Sequence, residues 1–345
     1  MNHTYFIFFK ILLILLFLSV FLACCKKDEP IIQINNWQTL YQDSSVWMSQ
    51  IKFLDKNTGF VLAGNIMAID SLRGRQFILK TTDAGKTWSK YPCLFPTYND
   101  GARRMIPLNE NTLLAGSYFL YISKDNGLNW NKIDTNYTGL NIFDIYIKDS
   151  LNWIIADGND ITLTKDAGKT FEKVLSTDFP VPFSHLAFPT NAVGYACGGT
   201  SDDSFSGGFI AKTMDGGQSW SVLYPEPWNS SNTSFPEANA IQFITEQIGF
   251  IFTENGEIYK TIDGGYNWKL ISKKSFFYLG HFTSENTGFC TDTNNIYETI
   301  DGGKTWNCIY TYSKPTADVN IIDMLFLKSG EGYAITRDGK IIKTK

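Results

Sequence analysis

Hydrophobic and polar residues alternate along most of the chain after residue 36, in short runs separated by turn-forming residues. Residues 239–245, 249–253, 257–262 and 267–272 illustrate this, because each run has the period of two that is typical of a half-buried strand. Short connections between successive strands favour antiparallel pairing. The pattern therefore predicts a succession of four-stranded antiparallel sheets.

An eight-residue phrase recurs six times, each time between the third and fourth strands of a unit. It contains Ser or Thr, then Asp, Gly and an aromatic residue at fixed spacing. The copies are TTDAGKTW from residue 81, SKDNGLNW from 123, TKDAGKTF from 164, TMDGGQSW from 213, TIDGGYNW from 261 and TIDGGKTW from 299. The copies begin roughly 40 to 50 residues apart, which is the length of one blade of a β-propeller. We therefore expect an all-β propeller.

Each residue type in the phrase has a structural role in a tight turn. An Asp side chain is expected to accept hydrogen bonds from backbone N–H groups two and three residues further on, with a further local bond from the Ser or Thr hydroxyl. Gly adopts the positive φ that a side chain resists, and the aromatic residue begins the fourth strand and packs inwards. The turns are thus predicted to be structural, through Asp83, Asp125, Asp166, Asp215, Asp263 and Asp301 and through Trp88, Trp130, Phe171, Trp220, Trp268 and Trp306.

The repeats predict seven blades. Six span residues 46–91, 102–135, 139–176, 183–224, 238–272 and 276–312, and a seventh begins at Val319. The seventh supplies three strands, because residues 339–344 match residues 256–261, which lead into one of the repeated turns. Residues 36–40 resemble the strand that follows such a turn. We expect this N-terminal strand to complete the seventh blade, which closes the ring and removes two exposed sheet edges.

The phrase is identified as an Asp-box, or BNR, repeat. The longer pattern GF...G.I.KT.DGG.TW, in residues 249–268 and 288–306, resembles the photosystem II stability and assembly factor family, and the similarity covers residues 36–345. The resemblance implies a single-domain, seven-bladed propeller over these residues that acts without catalysis, as a scaffold for membrane-protein assembly. Since a fold hosts many functions, only the mode of action, protein binding without catalysis, is carried over as an expectation.

The first residues resemble an export signal. Residues 5–23 are apolar with Lys10 as the only charge, and Cys24 and Cys25 follow at once. Residues 22–24, LAC, resemble a bacterial lipobox, which implies acylation of Cys24, with Cys25 as the alternative site. A simple transmembrane anchor is the other interpretation of the apolar run.

Residues 25–29, CKKDE, resemble the signal that follows the lipid site in surface lipoproteins of Bacteroidetes. We therefore predict a signal peptide over residues 1–23 and a lipid-anchored linker over residues 24–35. The protein would be an exported outer-membrane lipoprotein, on the periplasmic side or at the cell surface.

Composition narrows the functional classes. The chain has 345 residues, of which 43% are hydrophobic and 15% aromatic, and this favours a large packed core over disorder. Its 30 basic and 34 acidic residues give a net charge of -4, whereas a nucleic-acid partner requires a basic face. No nucleic-acid partner is expected.

Cysteine and histidine, the residue types that most often bind zinc or form disulfides, are few in the predicted propeller. Cys93, Cys197, Cys290 and Cys308 lack the close spacing of a zinc or redox site, so buried apolar roles are expected, although an exported compartment permits disulfides. His185 and His281 fall on different innermost strands, and no EF-hand spacing occurs. No cofactor and no metal are expected.

The longer connections all belong to one face of the predicted propeller. They cover residues 65–76, 93–101, 177–182, 200–207 and 225–238, between second and third strands or between blades. Loops on a rigid scaffold carry recognition residues, and aromatic and Arg side chains are the usual anchors. We predict that the protein is a monomer and binds a protein partner, membrane-associated proteins included, through this insertion-bearing face. The predicted binding residues are Trp228, Phe235, Tyr98, Phe95, Phe205, Arg73, Arg75 and Arg103. The alternative is that these loops only cover the propeller.

A carbohydrate-binding propeller or a glycoside hydrolase is the competing hypothesis, because sialidases and Asp-box glucanases share the repeat. Glycoside hydrolysis needs two carboxylates about 5 to 10 Å apart, for which Asp202 and Asp203 are loop candidates. A sialidase needs three arginines from different blades, whereas the five here form two close pairs plus Arg337. The glucanases use two propellers, and this chain provides one. We therefore expect no enzymatic activity.

Overall fold

The alternating runs form strands because each sheet has a neighbouring blade on either side to cover its apolar side chains. The computed structural model describes residues 37–65, 76–96, 101–116, 119–133, 142–176, 182–202, 205–224, 237–253, 255–273, 279–312 and 320–345. These contain 28 strands and no α-helix, and residues Asn35–Lys345 form one compact unit. The predicted signal peptide, lipidation site and linker lie outside the described residues.

The strands are antiparallel and form seven sheets of four. The first strand is β1 (Trp37–Gln42), and the others follow blade by blade. Blade 1 contains β2 (Val46–Phe53), β3 (Gly59–Asn65), β4 (Gln76–Thr81) and β5 (Ser89–Pro92). Blade 2 contains β6 (Arg104–Pro107), β7 (Leu113–Gly116), β8 (Leu120–Ser123) and β9 (Asn131–Lys132). Blade 3 contains β10 (Ile142–Ile147), β11 (Trp153–Asp157), β12 (Asp160–Thr164) and β13 (Glu172–Ser176).

Blade 4 contains β14 (Phe183–Ala187), β15 (Gly194–Asp202), β16 (Phe205–Thr213) and β17 (Ser221–Tyr224). Blade 5 contains β18 (Ala238–Phe243), β19 (Gly249–Thr253), β20 (Glu257–Thr261) and β21 (Lys269–Lys273). Blade 6 contains β22 (Leu279–Phe282), β23 (Gly288–Thr291), β24 (Asn295–Thr299) and β25 (Asn307–Thr311). Blade 7 contains β26 (Ile321–Phe326), β27 (Gly332–Thr336) and β28 (Lys340–Thr344), together with β1. The predicted blade boundaries are confirmed to within a few residues.

The blades close into a ring around the innermost strands. These strands, β2, β6, β10, β14, β18, β22 and β26, contact one another in that order, and β26 contacts β2. The core is divided accordingly, because each of seven hydrophobic clusters lies between two adjacent blades. Second strands such as β11, β19 and β27 are buried along their whole length, since both faces of the sheet are covered.

The predicted closure by the N-terminal strand is confirmed. β1 pairs antiparallel with β28, with Trp37 opposite Thr344 and Gln42 opposite Lys340. The Trp37 ring is 4% exposed and packs edge-on against Phe326, with a ring-centroid distance of 6.1 Å. Both ends of the described propeller are thereby joined within one sheet.

In five of the seven blades, an aromatic ring packs over a glycine at the start of the second strand and connects that blade to the preceding one. Phe243 covers Gly249, where an added Cβ would lie 2.6 Å from the ring. The same Phe243 stacks on Tyr195 of the preceding blade at 3.5 Å and meets Trp268 of its own repeated turn edge-on at 5.9 Å. The arrangement recurs at Phe53, Phe188, Phe282 and Phe326. These contacts explain why a glycine followed by an aromatic residue recurs in the sequence.

Candidate functional site

The repeated turns form a hydrogen-bonded unit centred on Asp. In the first turn, Thr81 Oγ1 donates to Asp83 Oδ1 at 2.8 Å and accepts from the Gly85 N–H at 2.9 Å. Asp83 Oδ1 also accepts from the Thr87 N–H at 2.9 Å, and Oδ2 accepts from the Thr87 hydroxyl at 2.7 Å. The carboxylate thus bonds chiefly four residues ahead, which corrects the predicted offset of two and three, because two consecutive residues of positive φ widen the turn.

The same bonds hold these carboxylates in their charged form. Bonds from the Thr87 backbone N–H and hydroxyl lower the pKa of Asp83 to about 2. Bonds from Thr170 and Thr305 lower the pKa values of Asp166 and Asp301 equally, to about 2. Equivalent bonds are made by Asp125, Asp215 and Asp263. These groups act as acceptors within their own turns.

The aromatic residue of each turn faces inwards. Trp130, Phe171 and Trp306 are buried, and Trp88, Trp220 and Trp268 are half-buried. The five tryptophans each donate their indole N–H to the carbonyl of the glycine two residues after Asp, as Trp88 does to Gly85 at 2.9 Å. This satisfies the polar end of each ring while its apolar part packs against the blade.

Each repeated turn is also bonded to a second turn at the same end of its blade. The residue after each Asp donates its N–H to the turn between the first and second strands of the same blade, as Ala84 does to Asn57 at 3.0 Å and Gly264 does to Gln247 at 2.9 Å. We call the face formed by these two kinds of turn the box face.

The opposite, insertion-bearing face is described only in part. Trp228, Phe235, Tyr98, Arg73 and Arg75 lie outside the described residues. Arg103 is exposed just before β6. Phe205 begins β16, and residues 200–202 pair with residues 205–207, so the predicted loop at 200–207 is instead the end of a long hairpin.

Phe95 was wrongly assigned to the binding face. Its ring is 4% exposed and stacks on Trp130 at 5.2 Å, between blades 1 and 2. The preceding Leu94 forms a bridge with Asn129 and accepts a hydrogen bond from Trp130 N–H. β9 has only two residues, so the outer edge of blade 2 leaves room for this segment to pair there.

The four cysteines of the propeller body carry thiols rather than disulfides. Cys93, Cys197 and Cys290 are buried and Cys308 is half-buried. Burial raises the pKa of the Cys93 thiol to about 12, and it also raises that of Cys197. These thiols therefore behave as small apolar side chains, as the sequence predicted.

Side chains on the innermost strands join neighbouring blades around the axis. Each of these side chains accepts a hydrogen bond from a backbone N–H of another blade. Gln50 accepts from Met105 at 2.7 Å, Asp144 accepts from Leu186 at 2.9 Å, and Asp323 accepts from Ile51 at 2.9 Å. Burial raises the pKa of Asp323, against the attraction of Lys52. The sequence did not identify these residues, because each partner lies in another blade.

His185 and His281 belong to the same axial region. Burial lowers the pKa of both rings, and Lys52 lowers it further at His281, to about 4. Their side chains are half-buried, and the His281 ring lies 5.8 Å from that of Phe326. Within the described residues, no group of three or more His, Cys, Asp or Glu side chains could hold a metal ion. In the same part of the chain, no helix has the length and apolar character of a membrane span.

Comparison with known proteins supports the architecture. No family model matches the chain, and no curated protein shows significant sequence similarity. Among solved structures, YCF48 bound to D1 peptide matches with a TM-score of 0.67 at 15% identity, covering 91% of this chain and 97% of that one. YCF48 from Cyanidioschyzon merolae matches with a TM-score of 0.63 at 15% identity, over 89% of this chain and 98% of that one. The chain is a seven-bladed propeller that resembles YCF48 in fold.

A xyloglucanase is also similar. The GH74 xyloglucanase from Xanthomonas campestris matches with a TM-score of 0.58 at 13% identity. The match covers 86% of this chain but 59% of the enzyme, so the chain spans only part of that protein. At these identities the similarity concerns the fold.

Proposed function

We propose that this propeller is a non-catalytic binding scaffold that recognises a protein partner. The observation that carries the proposal is the likeness, over almost the full length of both chains, to a YCF48 structure that is bound to a D1 peptide. The ring is well suited to this role because inter-blade packing and strand closure hold the surrounding loops on a rigid frame.

Within this proposal, the partner docks on the insertion-bearing face. The sequence places the long connections and their aromatic and Arg residues there, with Trp228, Phe235, Tyr98 and Arg103 among them. The box face, in contrast, is formed by short turns whose carboxylates are engaged within the turns.

Crosslinking in intact cells followed by mass spectrometry tests the proposal. We expect one membrane or secretion complex to be recovered with the wild-type protein and to be lost on combined Trp228→Ala and Phe235→Ala substitution. Lys124→Ala, on the box face, is the matched control and should leave recovery unchanged. Equal recovery with the double variant and the control would contradict the insertion-bearing face as the docking site.

We also propose that the propeller is held at the outer membrane by acylation of Cys24, with Cys25 as the alternative. The support is the apolar run ahead of the cysteine pair. Metabolic labelling with a palmitate analogue should mark the wild-type protein, and Cys24→Ala should abolish the label. Persistent labelling in that variant, lost only on Cys25→Ala, would move the site by one residue. Protease treatment of intact cells would separate surface display from a periplasmic location.

A glycan-directed role is the second candidate, and the similarity to the GH74 xyloglucanase favours it. If the propeller acts on a polysaccharide, purified protein should release reducing sugar from xyloglucan or bind selectively on a glycan array. If the protein neither releases reducing sugar nor binds a glycan, and a discrete protein complex is recovered, the results would support the role of a protein-binding scaffold.

A further inference from the structure

The box face carries an exposed apolar arc across three successive blades. Met214, Ile262 and Ile300 occupy the second position of the turn in blades 4, 5 and 6 and are 64%, 70% and 68% exposed. The same position in blades 1 to 3 holds Thr82, Lys124 and Lys165, which are also exposed. The turns have the same hydrogen bonds in both sets, so the apolar side chains are not required for the turn itself.

A groove lies beside this arc, between blades 5 and 6. Its volume is about 500 Å³, which is within the range of ligand-binding clefts. Ile262, Trp268 and Ile271 provide apolar surface, and Lys269 and Lys304 are further lining residues. The groove is therefore large enough to receive an apolar side chain from a partner.

The carboxylates around the groove have hydrogen-bond or ion-pair partners, whereas two of its lysines have none among the described residues. Asp263 and Asp301 accept hydrogen bonds within their own turns, and Glu285 pairs with Lys260 at 2.8 Å. The side chains of Lys269 and Lys304 are exposed and make no hydrogen bond or ion pair with any other described residue. Three lysines and three carboxylates line the groove, so its charges balance, but the three carboxylates are engaged and Lys269 and Lys304 are left to pair with a ligand carboxylate.

The groove also borders the outer strand of blade 5. Ile271 and Lys269 belong to β21, which pairs with β20 on one side and with no second strand among the described residues. An extended peptide alongside such an edge gains main-chain hydrogen bonds, whereas a bilayer surface gains none from a recessed groove.

From these observations, we propose that the box face of blades 4 to 6 is a docking surface for an extended peptide segment of a partner protein. One apolar side chain of the segment occupies the groove beside Ile262, and an adjacent Asp or Glu pairs with Lys269 or Lys304. Met214 and Ile300 extend the apolar contact to either side. This surface lies opposite the insertion-bearing face and is independent of the site in the proposed function.

A phage-displayed library of random short peptides, selected on the purified protein, is the probe. We expect enriched peptides to combine an apolar residue with a neighbouring Asp or Glu. In fluorescence anisotropy, Ile262→Lys should weaken their binding at least about tenfold, because an isoleucine contact is lost. Lys304→Ala should weaken binding of the same peptides several-fold. Ile262→Lys is expected to fold, since Lys occupies this position in blades 2 and 3.

Lys165→Ala, at the same turn position in blade 3, is the matched control and should bind the selected peptides like the wild type. The proposal is overturned if Ile262→Lys binds the selected peptides as well as the wild type does, if the selected peptides are basic, or if no peptide is enriched. It is also overturned if the arc instead mediates binding to vesicles of phosphatidylglycerol and phosphatidylcholine. The Trp228→Ala, Phe235→Ala variant should retain peptide binding, so failure here and failure of the proposed function are distinguishable.

Discussion

At the scale of single residues, the backbone of the repeated turn decides which side chains fit. The residue after Asp has positive φ in every copy, yet it is Gly216, Gly264 or Gly302 in blades 4 to 6 and a non-glycine in blades 1 to 3. Ala84 and Ala167, at 62° and 59°, adopt a conformation that L-residues rarely occupy. The turn therefore accepts a Cβ only where its surroundings leave space.

Two glycines at equivalent positions should respond differently to alanine. An added Cβ at Gly216 would lie 2.7 Å from the Asn191 carbonyl oxygen, whereas at Gly302 the nearest atom, the Glu285 carbonyl oxygen, is 3.3 Å away. Both substitutions cost about 1 kcal/mol for the positive φ, and Gly216→Ala adds about 1 to 3 kcal/mol of steric overlap. Urea unfolding of the two variants measures the difference. Equal losses in the free energy of unfolding would mean that the backbone conformation alone explains why both positions are glycine.

At the scale of secondary-structure elements, closure depends on β1. It is the outer strand of blade 7 and precedes β2 of blade 1, so it connects the two ends of the ring through its pairing with β28. Its main apolar contribution is Trp37, which packs against blades 6 and 7. The strand therefore combines backbone pairing with a large buried ring.

Truncation of that ring should weaken the propeller. Trp37→Ala is expected to lower the free energy of unfolding by about 3 to 5 kcal/mol, as for other buried aromatic residues. Gln38→Ala, at an exposed position of the same strand, should change it by less than about 0.5 kcal/mol. Urea unfolding provides the comparison. A similar, small effect for both variants would show that β1 is dispensable for closure.

The sequence predicted the elements well because repetition fixes their order. Alternation identified the strands, the repeated turn located each hairpin, and the match of residues 36–40 to a fourth strand predicted β1. Phe95 was misplaced, because its position depends on the short β9 of the next blade, which the repeat pattern did not reveal. The axial bonds of Gln50 and Asp323 were missed for the same reason, since they require the register between blades. The local sequence pattern thus predicts the strands of each blade, whereas the contacts between blades can be identified only in the folded ring.

At the scale of the whole molecule, stability comes from seven similar interfaces arranged around an axis of half-buried ionisable groups. His185 faces Asp144, Arg104 and Lys52, and His281 faces Lys52. Folding keeps both imidazoles neutral and the turn carboxylates charged. As the pH falls, the axial histidines and the carboxylates of the box face are therefore protonated in different pH ranges.

Stability should fall in two stages as the pH decreases. The unfolded chain protonates its histidines near pH 6.5, whereas folded His281 does so at about 4, so stability is lost as the pH falls through this interval. Asp83, Asp166 and Asp301, with pKa values of about 2, cause a second loss below about pH 4. Urea unfolding from pH 8 to 2.5 measures both stages. His185→Gln combined with His281→Gln should flatten the first stage only, and an unchanged profile would contradict this assignment.

The proposed function requires that the ring presents a surface to a protein partner. Site-specific photo-crosslinking in intact cells tests this requirement directly, with a photoreactive residue at Phe235, which the sequence predicts for the insertion-bearing face, and, as a control, at Gln38 on the outer strand of blade 7. We expect a discrete protein adduct from position 235 and none from position 38. Absence of any adduct from position 235, with release of reducing sugar from xyloglucan by the purified protein, would contradict the proposal of a non-catalytic, protein-binding propeller.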